Sequence, residues 1–241
     1  MIVENAGADC RFLLIGDHAG REIPGRLGDL GLTPDDLERH IAWDIGVAGL
    51  GARLAALLQA CFIRQSYSRL VVDCNRRPDS EESIPTSSDG VAIPGNARLD
   101  SQQKCGRLEA IYRPYHGEIA RVLDTRESRG GSTILVSLHS FTPRLRGLER
   151  PWRFGVLHRG DSPFSTRMLE IMTAALGEAI GDNQPYAMDE SDNTVPLHLA
   201  GRAMDYLELE VRQDLIGEER GQASRADEIA GFLLEAAGEA E

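Results

Sequence analysis

The sequence predicts an α/β fold, a single-domain three-layer sandwich in which helices cover both faces of a mixed, largely parallel sheet. The first observation behind this prediction is that strand-like and helix-like segments alternate along most of the chain, which is typical of strands joined through helices. The second is the length of 241 residues, which suits one large α/β domain with a substantial core. We therefore expect residues 1–241 to form one domain.

The elements of the first half follow from periodicity and composition. Apolar residues after position 43 keep roughly helical spacing, and Asp44 is placed to cap the first turn of that helix. A later stretch rich in Pro, Gly, Ser and Asp lacks either period, so we predict a long loop that could fold over a pocket. In chain order, we predict a strand at 11–16, a helix beginning at Pro34, a helix at 44–60, strands at 61–64 and 70–74, and the loop at 76–100.

The second half continues the alternation. A long helical pattern contains Pro114, which lacks a backbone donor and clashes with the preceding turn, so a break or bend is predicted there. The last strand alternates polar and apolar residues, which places Glu208 and Glu210 on one face and leucines on the other. In chain order, we predict a helix at 101–129, strands at 134–139 and 153–158, a helix at 162–180, a strand at 205–212 and a helix at 225–237.

Charge and composition exclude several functional classes. The formal net charge is -12, whereas a nucleic-acid surface needs clustered cations. No apolar run approaches the roughly 20 residues that span a bilayer, so neither a nucleic acid nor a membrane is expected as a partner. The four cysteines show no C-x-x-C spacing, and no charged-then-apolar leader precedes the first strand. We therefore expect a cytoplasmic protein with reduced cysteines.

Two short apolar runs, FLLIGDH and ILVSLH, each end on a histidine, and these are His18 and His139. Ligand sites of open α/β sheets lie at the carboxyl ends of strands, so the two histidines can converge. A catalytic zinc commonly takes two histidines and one carboxylate, which makes a metal site the leading hypothesis. Glu22 is the local candidate for the carboxylate because it follows His18 by one short loop, whereas Asp44 would have to be brought in by the fold.

Further carboxylates and cations could complete such a site. The strand that carries Glu208 and Glu210 offers a carboxylate on a rigid element, as a general base requires; the alternative is a solvated edge strand. The segment with Arg69, Asn75 and Arg76 adds cations and an amide near a strand end. Because arginine binds carboxylates bidentately and can stabilise an oxyanion, this segment suits a carboxylate substrate, although a surface ion-pair network is an alternative.

Six strings of the sequence stand out as a set. They are DHAG (17–20) followed by Ile23 and Pro24, HIAWDIG (40–46), YSRLVVDCNR (67–76), RPYH (113–116), LHSF (138–141) and LEVRQD (209–214). Together, and in this order, they resemble the N-formylglutamate amidohydrolase family over nearly the whole chain. The resemblance implies a zinc-exopeptidase-like, phosphorylase/hydrolase-like catalytic domain related to the zinc carboxypeptidases and aspartoacylases. It also implies one divalent metal ion, with zinc expected, and hydrolysis of an N-acyl amino acid.

The same resemblance assigns roles to individual residues. His18 and His139 match metal ligands, and Asp44 is favoured as the third ligand with Glu22 as the alternative. In the wider zinc-peptidase group the carboxylate follows the first histidine by three positions, whereas Glu22 follows His18 by four. Glu210 matches the general base. Arg69 resembles the arginine that polarises the carbonyl, and the residues expected to contact the substrate are Asn75, Arg76, His116, Ser140 and Arg212. His198, which lies before a Gly-Arg turn, is added to them on its position alone.

The sequence therefore predicts a cytoplasmic, metal-dependent amidohydrolase of amino-acid catabolism. Its partner is expected to be a small-molecule carboxylate substrate such as N-formylglutamate, and the sequence leaves a homo-oligomer open. One alternative is a related metal amidase or peptidase that acts on another N-acyl amino acid or a small peptide. Another is a ligand-binding homologue that has no metal and no enzymatic activity.

Overall fold

A seven-stranded mixed sheet forms the centre of the protein, whose computed structural model describes residues 1–239. The strands in chain order are β1 (Ile2–Glu4), β2 (Phe12–Gly16), β3 (Cys61–Arg64), β4 (Ser87–Ser88), β5 (Val91–Ala92), β6 (Ile134–Phe141), β7 (Arg144–Leu145), β8 (Leu148–Glu149), β9 (Phe154–Leu157), β10 (Ile180–Asp182) and β11 (Asp205–Arg212). The sheet has the order β1-β3-β2-β6-β11-β9-β10, while β4-β5 and β7-β8 form two small antiparallel hairpins.

The four strands β3, β2, β6 and β11 are parallel to their neighbours within this group. Their carboxyl ends therefore lie at one edge of the sheet, where the site is expected in an open α/β fold. Two antiparallel pairings flank this group, since β1 is antiparallel to β3 and β9 is antiparallel to β11. The predicted mixed, largely parallel sheet is confirmed.

Helices cover both faces of the sheet and create a hydrophobic core on each side. On one face, α2, α5 and α7 pack against side chains such as Phe12 and Leu209. On the other face, α4 and α6 pack against side chains such as Leu13 and Ile63. The three-layer prediction is thus confirmed. The helices are α1 (Pro34–Leu37), α2 (Val47–Leu57), α3 (Ser101–Arg107), α4 (Arg113–Ser128), α5 (Pro163–Leu176), α6 (Thr194–Leu199) and α7 (Glu219–Ala237).

The predicted break near Pro114 takes the form of a π-helical turn between α3 and α4, at Leu108–Tyr112. The backbone N–H of Arg113 donates to the carbonyl of Leu108, five residues back. Because Pro114 has no N–H to donate, the helical ladder is interrupted at this point. A π-helical turn is one of the recognised ways in which a helix continues past such an interruption.

Several predicted boundaries are wrong for local reasons. Residues 70–74 form turns and not a strand, because Ser68 and Asp73 accept hydrogen bonds from backbone N–H groups two residues further on. The predicted helix at 162–180 ends at Leu176, where Gly177 has a φ of 60°, and a 3-10 turn at Gly177–Ala179 leads into β10. The helix predicted at 44–60 begins three residues later, at Val47. Strand β1, helix α6 and the β4-β5 hairpin within the predicted loop 76–100 carry no clear periodicity in the sequence.

Candidate metal and active site

A cavity of about 480 Å³ opens at the carboxyl ends of the central parallel strands. Its wall includes His18 after β2, His139 on β6, and Glu208 and Glu210 on β11. In the parallel register of β6 and β11, Glu210 lies opposite His139 and Glu208 lies opposite Ser137. Because side chains alternate along a strand, these groups share one face of the sheet while the intervening leucines enter the opposite core.

His18, Asp44 and His139 converge in this cavity, and each offers a ligand atom within 4.8 Å of the others. All three are buried. The loop that carries Asp44 is tied to the first histidine, since the Asp44 backbone N–H donates to the His18 carbonyl at 2.8 Å. The fold therefore supplies the distant carboxylate that spacing alone could not place.

The carboxylate of Asp44 sits between the two histidines. Its Oδ2 lies 3.0 Å from His139 Nδ1 and 3.6 Å from His18 Nδ1. The same oxygen accepts a hydrogen bond of 3.2 Å from the Ser140 backbone N–H. Burial acts to raise the pKa of Asp44, but the nearby His18 and His139 outweigh it and hold that pKa well below its usual range.

The donor set fits a catalytic zinc ion on two grounds. Two imidazole nitrogens and one carboxylate oxygen are among the ligand combinations that catalytic zinc sites use. In addition, His18 Nδ1 is buried and has no hydrogen-bond partner within residues 1–239, while its Nε2 lies 2.7 Å from Asp73 Oδ1. A histidine whose second nitrogen is held by a carboxylate is the usual arrangement of a metal ligand.

The glutamates of β11 are buried carboxylates beside this cluster. Burial raises the pKa of Glu210 to about 7 and the pKa of Glu208 to about 8, because the charged form loses its hydration. The Oε2 atom of each has no hydrogen-bond partner among the described residues. Each side chain could therefore accept and release a proton near neutral pH.

Three predicted residues from the segment after β3 also line the cavity. Arg69 donates through Nε and Nη2 to Asp73 Oδ2, at 3.1 and 2.8 Å, and its Nη1 lies 3.4 Å from Asp44 Oδ1. Asn75 donates to Asp192 Oδ1 at 3.2 Å. Arg76 forms an ion pair with Glu82 at 3.1 Å. The sequence-predicted cations and amide are thus brought together at one wall.

Ser140 also lines the cavity, and both its hydroxyl and its backbone N–H form hydrogen bonds with the loop that carries Asp44. Its hydroxyl donates to the Ile45 carbonyl at 3.0 Å, and its backbone N–H donates to Asp44 Oδ2 at 3.2 Å.

Glu22, the alternative ligand, is exposed, and its backbone pairs with Ser66 and Ser68. The local carboxylate therefore points to solvent, and the structure favours Asp44 over Glu22.

Three residues expected to contact the substrate lie outside the cavity. Arg212, at the carboxyl end of β11, binds Asp214 and the carbonyl of Pro151 and does not line the cavity. His116 and His198 are buried behind the cavity wall, with His116 Nδ1 3.1 Å from His198 Nε2 and His116 Nε2 2.9 Å from the Cys74 carbonyl. These placements correct the sequence-based expectation. The two histidines support the loop that carries Asn75, and Arg212 anchors the end of a strand.

Sequence reasoning missed several residues of the site. Asp73 lies in the YSRLVVDCNR segment and binds both His18 and Arg69. His18 is 55 positions away in the sequence and Arg69 is 4 positions away. Tyr186 lines the cavity and its hydroxyl accepts a hydrogen bond from Arg150 at 2.9 Å. Asp192 reaches Asn75 from 117 positions away. Asp73 could have been found from its place beside Arg69 and Asn75, whereas Tyr186 and Asp192 lie in segments without a periodic signal.

Comparison with known proteins bears on this site. The sequence profile of the N-formylglutamate amidohydrolase family matches residues 10–217. The crystal structure of gene product Atu2144 from Agrobacterium tumefaciens is similar with a TM-score of 0.94 and 34% identity, covering 98% of this chain and 94% of that one. The structure of an N-formylglutamate amidohydrolase from Ralstonia eutropha JMP134 is similar with a TM-score of 0.68 and 18% identity, covering 95% and 93%. No curated protein sequence matches the chain.

Proposed function

Because the chain belongs to the N-formylglutamate amidohydrolase family, a family of hydrolases, we propose that it cleaves the amide bond of an N-formyl or N-acyl amino acid with the help of one divalent metal ion. N-formylglutamate is the example that the family suggests. The observation that supports this proposal most directly is the convergence of His18, Asp44 and His139 beside the buried Glu210 in one cavity.

The metal ligands in this proposal are His18, Asp44 and His139, and zinc is the expected ion. When bound, a divalent ion of this kind polarises a carbonyl and lowers the pKa of water towards about 7. Asp73 holds the second nitrogen of His18, and the Ser140 N–H holds the Asp44 carboxylate. Such outer contacts fix the orientation of the ligands before the ion arrives.

Glu210 is the general base and acid of the proposed reaction. Its Oε2 takes a proton from the attacking water and then gives it to the nitrogen of the departing amino acid. This double role requires a pKa near the working pH, and burial raises the pKa of Glu210 to about 7.

Two further groups handle charge on the substrate. Arg69 faces the cavity while its guanidinium is held by Asp73, so it can stabilise the negative charge that develops on the carbonyl oxygen without reorganising. Asn75 and Arg76 bind the carboxylate of the amino acid in this proposal. A planar guanidinium suits that partner because it offers paired donors.

The test combines metal analysis with a substrate panel. Protein purified without chelator or affinity metal is analysed for its elements, and hydrolysis of N-formyl-L-glutamate, other N-formyl amino acids, longer N-acyl amino acids and small peptides is followed by release of the free amine. We expect about one divalent ion per chain and activity on N-formyl substrates that chelation abolishes. Activity only on longer acyl groups or peptides would support the related amidase, and metal-free, inactive protein would support a ligand-binding homologue.

A further inference from the structure

Asp17 lies between the end of strand β2, at Gly16, and the proposed ligand His18. It is 1% exposed, and neither of its carboxylate oxygens has a hydrogen-bond partner in the part of the chain that the structure describes. A buried carboxylate without hydrogen bonds lowers the stability of a fold substantially. Its presence in the core beneath the site calls for a compensating role.

Asp17 faces the second histidine of the cluster, His139. Asp17 Oδ2 lies 3.6 Å from His139 Nε2, and the hydroxyl of Ser137 lies 3.1 Å from the same nitrogen. On the other side of the ring, His139 Nδ1 points to Asp44. His139 therefore has two oxygen groups behind it and the proposed metal position in front.

The tautomer of a histidine decides which nitrogen can bind an ion. A neutral imidazole carries one hydrogen, so only the nitrogen without it is a ligand. An acceptor behind Nε2 keeps the hydrogen there and leaves Nδ1 free. His18 already has this arrangement, with Asp73 2.7 Å from its Nε2 and its Nδ1 without a partner.

We propose that Asp17 is a positioning residue for His139: with Ser137 it holds the Nε2–H, so that Nδ1 faces the metal position, as Asp73 does for His18. This inference rests on the metal site of the proposed function. Each of the two histidines then has its own carboxylate behind the imidazole ring.

The proposal gives two effects of opposite sign for Asp17→Asn. Removal of an outer carboxylate weakens metal binding, typically by about 10–100-fold. In the metal-free protein the same change removes a buried carboxylate that makes no hydrogen bond within the described residues, so its thermal unfolding temperature stays the same or rises. A residue with a purely structural role would instead lower the stability of the metal-free protein without a selective effect on metal affinity.

The experiment measures zinc affinity by competition with a chromophoric chelator and the unfolding temperature in excess EDTA. Asp214→Asn, at an exposed carboxylate paired with Arg212, is the matched control and should behave as wild type in both measurements. Asp17→Ser, which is smaller and uncharged, replaces Asp17→Asn if the amide prevents folding. Ser137→Ala should weaken zinc binding as well, because it removes the other group behind Nε2.

The outcomes separate this inference from the proposed function. Wild type that binds zinc, with Asp17→Asn about 10–100-fold weaker and no less stable without metal, supports the role of Asp17. Zinc affinity within about threefold of wild type, or a large loss of metal-free stability in both Asp17 variants, overturns it. Wild type that binds no zinc overturns the proposed function itself, and this inference falls with it for that separate reason.

Discussion

Glu208 and Glu210 are two buried carboxylates on one strand, and their positions along β11 distinguish them. Glu210 lies opposite the proposed ligand His139, whereas Glu208 lies opposite Ser137, one step deeper in the sheet. Burial raises the pKa of both side chains. The carboxylate nearer the open edge of the sheet can reach water and substrate, which assigns the proton transfer to Glu210 in the proposed mechanism.

The first prediction concerns this assignment. Glu210→Gln keeps the shape of the side chain but cannot accept a proton, so kcat on the best N-formyl substrate should fall by roughly 10²-fold or more. The Michaelis constant and the zinc content should change little, because Glu210 is not a proposed ligand. Steady-state kinetics and elemental analysis of the purified variant check both expectations.

Glu208→Gln is the matched comparison for that variant. It makes the same chemical change two positions away on the same face of β11, and we expect a much smaller loss of kcat. If Glu208→Gln is the more damaged variant, the general base has been assigned to the wrong glutamate. Equal and full activity in both would remove a glutamate base from the mechanism.

At the scale of single elements, Gly46 shows how the loop of Asp44 is held. Gly46 caps the start of α2 with a φ of 86°, in the left-handed region. A Cβ at this position would lie 2.1 Å from the Ile216 carbonyl oxygen. The backbone of the segment after β11 therefore packs directly against the turn that delivers Asp44 to the site.

The second prediction follows from this close approach. Gly46→Ala should lower the free energy of unfolding by more than about 1–2 kcal/mol, since the left-handed conformation alone has that penalty and the backbone clash adds to it. Gly117→Ala is the control, because Gly117 lies in α4 with open space around it and should gain about 0.5–1 kcal/mol. Urea unfolding of both variants checks the two signs, and a Gly46→Ala protein as stable as wild type contradicts the packing argument.

A second element-scale feature is the contact between α4 and α6 through His116 and His198. The pair is buried, and His116 Nε2 lies within hydrogen-bond distance of the carbonyl of Cys74, the residue before Asn75. Burial lowers the pKa of His198 to about 3, with a smaller contribution from His116. Burial lowers the pKa of His116 as well, so both rings are neutral in the folded protein near pH 7.

The third prediction is the pH dependence that this pair causes. The pKa of His198 in the folded protein is below its unfolded value of about 6.5. The contribution of neutral His198 to the free energy of unfolding is therefore fully present above pH 6.5, and it is lost as the pH falls towards 3. Between pH 6.5 and 5 the loss from this residue should approach roughly 2 kcal/mol. Urea unfolding of metal-free wild type and His198→Gln at pH 7 and pH 5 should show a weaker pH dependence in the variant. An identical pH dependence in both proteins would contradict the prediction.

At the scale of the whole molecule, the proposed metal ligands come from three separate parts of the chain. His18 follows β2, Asp44 lies in the loop before α2, and His139 lies on β6. An ion bound by all three would link these segments in the folded state and not in the unfolded chain. Binding to the folded state alone stabilises a protein by mass action.

The fourth prediction is a zinc-dependent rise in unfolding temperature. Free zinc at 100 times its dissociation constant adds about 2.7 kcal/mol, which for a chain of this length corresponds to roughly 5–10 °C. Differential scanning calorimetry with zinc and with EDTA measures the shift. Asp44→Asn should abolish most of it, whereas Glu22→Gln should retain it.

This pair of variants also decides between the two carboxylates. A shift that survives in Asp44→Asn and disappears in Glu22→Gln would mean that Glu22 is the ligand after all. Within the described residues, no helix is both long and apolar enough to cross a membrane.

The periodicity of the sequence and the residues near strand ends predict much of the sheet and of the candidate site. The alternating pattern predicts β11 with the bounds that the structure has. Strands β2 and β6 end at Gly16 and Phe141, close to His18 and His139, and they pair in parallel with each other. Side-chain alternation is a local property of an extended backbone, so it can be read from the sequence. The short β1 and α6 have no such pattern, because their stability depends on neighbours and not on their own residues.

The sequence by itself determined the α/β class, the two histidines close to the carboxyl ends of strands and the carboxylates on one face of the last strand. The tertiary structure decided that Asp44 and not Glu22 lies between the histidines, and that His116, His198 and Arg212 lie outside the cavity. The physical reason is that spacing fixes which residues share a face, whereas convergence of distant loops depends on how the helices and turns pack across the whole sheet.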